Sequence, residues 1–163
     1  MTRTDRHARP AERGLTYLEL LVVVAVLAVL ASAAVPLKHW DDKRRKEGHL
    51  RAALETMRQA LDEYHRYYEE GLIIQDDVDL LGWPASLEDL VEGVEIGDPQ
   101  SIDVEVRQFL RRIPVDPFTG EAEWGLRSYQ DDFDSRSWGG ENVYAVYSLA
   151  EFVALDGTEY RDW

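Results

Sequence analysis

"RGLTYLELLVVVAVLAVLASAAVP" (Arg13–Pro36) is an almost uninterrupted apolar run near the start of a 163-residue chain whose net charge is -14, and it holds one carboxylate, Glu19. Leu15 to Leu37 is 23 residues, which as a helix at about 1.5 Å per residue is about 34 Å long, enough for a hydrocarbon core of about 30 Å. The run is therefore predicted to be a membrane-spanning helix. A cleaved secretory signal is the competing reading, since Ala31-Ser32-Ala33 imitates its cleavage site. Such signals have apolar regions of only about 7–15 residues, and here the helical pattern does not stop at Pro36.

Trp40, Leu50, Ala53, Leu54, Met57, Leu61, Tyr64 and Tyr68 recur mostly at steps of three or four, with Arg51, Glu55, Arg58, Asp62 and Arg66 on the other faces. That is the pattern of an amphipathic helix with one buried stripe. Gly71 is placed to cap its C-terminus. Residues 15–71 thus read as one long helix, apolar in its first half and amphipathic in its second (38–71). Pro36 is expected to kink it, because proline lacks an N–H and crowds the carbonyl of Ser32.

The charge is unevenly spread. Residues 1–14 carry +2, residues 15–37 carry -1 and residues 38–46 carry +3, which leaves -18 on residues 47–163. So negative a surface repels phosphate backbones and argues against a nucleic-acid partner. The absence of cysteine excludes disulfides and thiolate metal sites. His7, His39, His49 and His65 lack the spacing of a zinc site, and no HExxH, GxSxG, GxGxxG or P-loop pattern occurs. No set of residues composes a catalytic site, and the chain reads as a non-enzyme.

Beyond the long helix, residues 72–163 read as an α+β head. Ser86 and Asp89 form a capping-box signal for a short helix with Leu87, Leu90 and Val91 as its apolar face, ending at Gly93. Residues 94–108 are expected to be mostly loop leading into a turn of helix at Gln108–Arg112, followed by an extended connection enforced by Pro114 and Pro117. Trp124–Gln130 and Asn142–Leu149 alternate as strands, with Val143, Ala145 and Tyr147 on one face and Tyr144, Val146 and Ser148 on the other. Two or three strands cannot bury an apolar face alone, so the amphipathic half of the long helix is expected to complete the core. Asp131, Asp132 and Asp134 form an acidic cluster in the intervening loop; Arg136 and the position of Gly139 do not suit an EF-hand, and the cluster reads as solvated.

Glu19 requires a reason. A carboxylate at a bilayer centre costs about 2.5–3.5 kcal/mol on insertion scales, and less near a helix end. It needs either a partner or access to the headgroups. Arg13-Gly14-Leu15-Thr16-Tyr17-Leu18-Glu19 with the apolar run behind it resembles the class III signal of type IV pilins and pseudopilins. Glu19 and Pro36 fall where that family carries its acidic residue and its proline; Leu15 stands where Phe is usual and Tyr17 where Leu is common. The resemblance implies a leader (1–14) cut after Gly14 by a prepilin peptidase on the cytoplasmic side, and N-methylation of Leu15. It also implies pairing of Glu19 with the N-terminal amine of a neighbouring subunit. An α-amino group has a reference pKa of about 7.7–8.0 and is largely charged near neutrality.

"GWPASLEDLVEG" (Gly82–Gly93), "FLRRIPVDPFTGEAEWGLRSY" (Phe109–Tyr129) and "NVYAVYSLAEFVALDGTEYRDW" (Asn142–Trp163) look like the periplasmic domain of the G-type, major pseudopilin of type II secretion. The fold implied is a long N-terminal helix packed on a small antiparallel sheet. The function implied is that of a homo-oligomeric helical fibre subunit that works with minor pseudopilins and an inner-membrane secretion platform, the head lying in the periplasm. A pilus subunit for adhesion, motility or DNA uptake is the alternative within the family. An exported ligand-binding module released after Ala33 is the alternative outside it. The leader's charge favours a cytoplasmic N-terminus, although the 38–46 cluster pulls the other way.

G-type pseudopilins bind calcium through a C-terminal loop. Calcium takes six to eight oxygen ligands; here the resemblance implicates Glu151 and Asp156, assisted by Ser148. Relatives carry Ser-Asp-Gly or Ala-Asp-Gly where this chain has Ala150-Glu151-Phe152, and only Asp156-Gly157-Thr158 keeps their form. An ordinary turn at Asp156-Gly157 with a solvated Glu151 is the alternative.

Overall fold

The computed structural model describes residues 16–97 and 104–163, the side chains of residues 32–39 excepted. The architecture is α+β, with two small antiparallel sheets and a long helix, α1 (Tyr17–Glu69). Two compact units divide the chain, Met1–Asp41 and Asp42–Trp163. Helix assignment continues through Pro36, whose side chain, with the kink expected from it, lies outside the described residues.

In the second unit α1 supplies the core. Leu50, Leu54, Met57, Leu61 and Tyr64 follow one another at steps of three and four and are all buried; a Leu or Met moved fully out of water contributes about 1.5–3 kcal/mol. They pack in one cluster with Trp83, Leu87, Leu90, Leu110, Val143, Val146 and Tyr160. Two residues expected on this stripe are not in it. Trp40 is 63% exposed and Tyr68 38%. Trp40 stands before the part of α1 that meets the head, and Tyr68 packs against Gly82, where an added Cβ would come within 2.4 Å of its ring. Gly71, at φ 74°, ends the helix as expected, with Leu72 N donating to Tyr67 O at 3.0 Å.

Helix α2 (Leu87–Glu92) has both halves of its capping box, Ser86 accepting from Asp89 N and Asp89 accepting from Ser86 N, and Gly93 closes it at φ 90°. The next segment departs from expectation. Two short strands lie within 94–108, β1 (Val94–Ile96) and β2 (Glu105–Arg107), paired antiparallel with Glu95 opposite Val106, residues 98–103 being outside the described residues, and the turn of helix at Gln108–Arg112 does not form. Leu90 O accepts from both Phe109 N and Leu110 N, at 3.0 and 2.8 Å. These N–H groups are thereby satisfied by the end of α2 rather than by a turn of their own. Arg107 adds a 2.8 Å ion pair to Glu63 on α1.

β3 (Gly125–Arg127) and β4 (Ala145–Tyr147) pair antiparallel with Leu126 opposite Val146. Both are shorter than the sequence pattern. Ser128 N turns aside to Asp131 Oδ2 at 2.7 Å, and Ser128 Oγ donates to Asn142 O at 3.0 Å. Val146 and Ser148 are buried, whereas Tyr144, expected on the same face, is 44% exposed. Val143, expected on the opposite face, is also fully buried; it precedes β4 and donates to Pro84 O at 2.8 Å.

Candidate functional site: the apolar helix and the C-terminal strap

Thr16 starts α1. Its Oγ1 accepts from Glu19 N at 3.3 Å and its carbonyl from Leu20 N at 3.1 Å, which makes it an N-cap. Glu19 then lies in the first helical turn, where the orphan N–H groups and the helix dipole favour a negative charge. This local role for Glu19 was present in the Thr-x-x-Glu spacing of residues 16–19.

From Tyr17 to Leu30 every Tyr, Leu and Val side chain is exposed, between 48 and 82%. A helix that is apolar on all sides is stable only when something other than water surrounds it. Among the described residues no helix is long and apolar enough to cross a membrane. The apolar run of the sequence continues through residues 32–37, whose side chains are outside the described set. Gly14 and Leu15, the expected cleavage and methylation positions, also lie outside it.

The C-terminal segment, residues 150–163, is held to α1 by a polar stripe. Lys43 Nζ donates to Val153 O at 2.6 Å. The Glu47 carboxylate, only 6% exposed, accepts from Leu155 N at 2.8 Å and from the Tyr160 hydroxyl at 3.0 Å. Arg51 pairs with Asp156 at 3.5 Å and lies 4.1 Å from the centre of the Trp163 ring. Arg58 donates to Trp163 O. Burial, then the hydrogen bond to Glu47, pushes the Tyr160 hydroxyl pKa well above its ordinary value. Lys43 and Glu47 are four apart, as are Glu47 and Arg51, so the stripe runs along one face of the helix. Glu47 was missed in the sequence, although its spacing to Leu50 and Leu54 puts an acid on the apolar stripe.

Glu151 and Asp156 are not brought together. Glu151 is exposed and lines a hollow with Tyr147, Phe152 and Arg161, whereas Asp156 lines another with Arg51, Arg58 and Trp163. Asp156 Oδ1 accepts from Thr158 N and Oγ1, at 3.0 and 2.6 Å, and Oδ2 faces Arg51. The Thr158 hydrogen bonds first, then Arg51, hold its pKa below the ordinary value. Ser148 Oγ donates to buried Asp116 at 2.5 Å and accepts from Ala150 N. Among the described residues no three His, Cys, Asp or Glu side chains gather around a common point. Calcium takes six to eight oxygens; here the ammonium of Lys43 faces the Val153 carbonyl and the guanidinium of Arg51 the Asp156 carboxylate. The acidic cluster of the β3–β4 loop is solvated at Asp132 and Asp134, while Asp131 is engaged locally with Ser128 and Gly139.

No protein-family model, curated protein or solved structure matches this chain.

Proposed function

We propose that the chain is a structural, non-enzymatic subunit of pilin type: a pseudopilin held in the bacterial inner membrane through residues 15–37 and cut by a prepilin peptidase after Gly14. It is then N-methylated at Leu15 and stacked with further copies into a periplasmic fibre that serves protein export by type II secretion. Minor pseudopilins and an inner-membrane secretion platform are its partners in this reading. The observation that carries it is the first part of α1, apolar and exposed on every side with Glu19 in its opening turn, in the same helix whose later residues fill the core of an α+β head.

The chemistry of assembly follows. Before assembly the helix sits in lipid, where Glu19 is costly. A cut after Gly14 creates an ammonium group four residues upstream of Glu19. Methylation keeps its charge, and a neighbour's ammonium next to Glu19 offsets the cost of burying either charge. Packing helices side by side then covers the exposed Leu and Val side chains. Intact and N-terminal peptide mass spectrometry of the protein extracted from host membranes tests the proposal. A chain beginning with N-methylated Leu15 is expected; a soluble chain beginning after Ala33 would sink it.

A further inference from the structure

The head contains a hollow of about 740 Å³ lined from α1 by the small side chains of Ala52, Ala53 and Thr56, and from residues 109–115 by Phe109, Leu110, Pro114 and Val115. His49, Arg111 and Arg112 line it as well. The two arginines are exposed, and neither is in an ion pair among the described residues. They stand in a segment that carries -18 over residues 47–163. Arg51, Arg66, Arg107 and Arg161 each face carboxylates of their own chain. Arg111 and Arg112 line an apolar hollow whose lining, among the described residues, includes no carboxylate.

The complement is on the same molecule. Residues 73–81, "IIQDDVDLL", expose Ile74 at 70% and Val78 at 82%, with Asp76, Asp77 and Asp79 also exposed. Nothing in the segment's own packing accounts for two bare aliphatic side chains among three acids. Its backbone is nonetheless fixed. Gln75 donates to Trp83 O and accepts from Gly82 N; Asp79 O accepts from Gln130 and Asn142; and Leu81 is held at φ 52°, a left-handed conformation rare for leucine. A projection ordered in advance loses little entropy on docking.

We propose that the hollow between α1 and residues 109–115 seats the acidic, aliphatic projection of residues 74–79 of a second copy of this chain. Ile74 and Val78 enter between Ala52, Thr56 and Val115, and Asp76 and Asp79 face Arg111 and Arg112. The inference deepens the fibre reading and rests on it. A copy cannot fill its own hollow, because about 20 Å of helix separates Thr56 from Glu69, after which the projection begins. A contact that joins two different surfaces of one molecule, and does not close on itself, propagates as a filament.

The absence of cysteine makes the test clean. In the full chain, assembled in a host carrying the secretion machinery, the pair Asp76→Cys and Arg112→Cys is oxidised and run without reductant, while fibres are counted by electron microscopy. A ladder of dimers, trimers and higher species is expected. On the cysteine-free chain, Arg111→Glu with Arg112→Glu is expected to lower fibre yield about tenfold, as is Asp76→Arg with Asp79→Arg, and combining the four to restore it, since like charges placed opposite one another suppress docking. Asp77 is left alone because it caps the 3-10 turn Val78–Leu80; unchanged melting of the variants separates lost docking from lost folding. Fibres without a ladder would overturn this contact and leave the fibre reading standing, and so would failure of the four-fold exchange to restore assembly. Cross-linking only to a different protein would make the occupant that protein and overturn the proposal. Absence of fibres from the unaltered chain would overturn both.

Discussion

The Glu47 carboxylate, midway along α1, accepts the Tyr160 hydroxyl at 3.0 Å across 113 residues of chain. Tyr160 is fully buried, and Glu47 nearly so. A carboxylate in a core is costly unless its lone pairs are used; here Leu155 N supplies the second donor. The pair fixes where the C-terminal strap crosses the helix.

Glu47→Ala is therefore expected to be among the most destabilising single changes in the head. It leaves one hydroxyl and one backbone N–H buried without an acceptor, each costing about 1–3 kcal/mol. Thermal melting of the full chain in detergent should fall by about 10 °C. Tyr160→Phe keeps the Leu155 bond and should cost less than half as much. A double-mutant cycle in which the two effects simply add would show that the hydrogen bond contributes nothing.

The same pair gives an alkaline dependence. Tyr160 is protonated in the fold and its pKa is raised above the ordinary 10.0, so the stability it contributes is present below pH 10 and is lost as pH rises through the folded-state value. The melting temperature should decline above pH 10 more steeply than in Tyr160→Phe. Asp156, lowered from 3.8, has the opposite sign: its contribution is present above that value and fades as pH falls through the folded-state pKa. Asp156→Asn should flatten the acid limb slightly, since the side chain is half exposed. Parallel pH profiles for wild type and variant would refute either assignment.

Millimolar calcium is expected to leave the melting temperature unchanged, because Thr158 and Arg51 already engage both Asp156 oxygens and Lys43 occupies the Val153 carbonyl. Arg51→Ala should raise hydrogen exchange over residues 150–163 whether calcium is present or chelated. A rise of several degrees with calcium would mean that the strap rearranges to release Asp156.

Glu19→Gln should insert into membranes at least as well as wild type, since an ionised carboxylate is disfavoured in hydrocarbon. Fibres should nonetheless be lost. Normal fibre yield in this variant would remove the amine pairing from the proposal.

The sequence made part of this legible and hid the rest for physical reasons. Ser86, Asp89 and Gly93 act within one short segment, and α2 falls where they place it. Leu50 to Tyr64 declare their face by spacing alone. The β1–β2 pair was missed because what settles it is remote: Leu90 O taking two N–H groups and Glu63 holding Arg107. For Glu47 the register was readable, but its partners lie more than a hundred residues away. The resemblance invited a metal reading of Glu151 and Asp156, but a family likeness carries no information on whether their oxygens converge in this chain.

The Thr16 cap bears on the timing of maturation. Among the described residues the hydrogen bonds of α1 begin with Leu20 N to Thr16 O, so a cut between Gly14 and Leu15 severs a peptide upstream of the helix and breaks none of them. Under the proposed maturation, trimming would then add a cation upstream of Glu19 while leaving every described hydrogen bond of α1 in place.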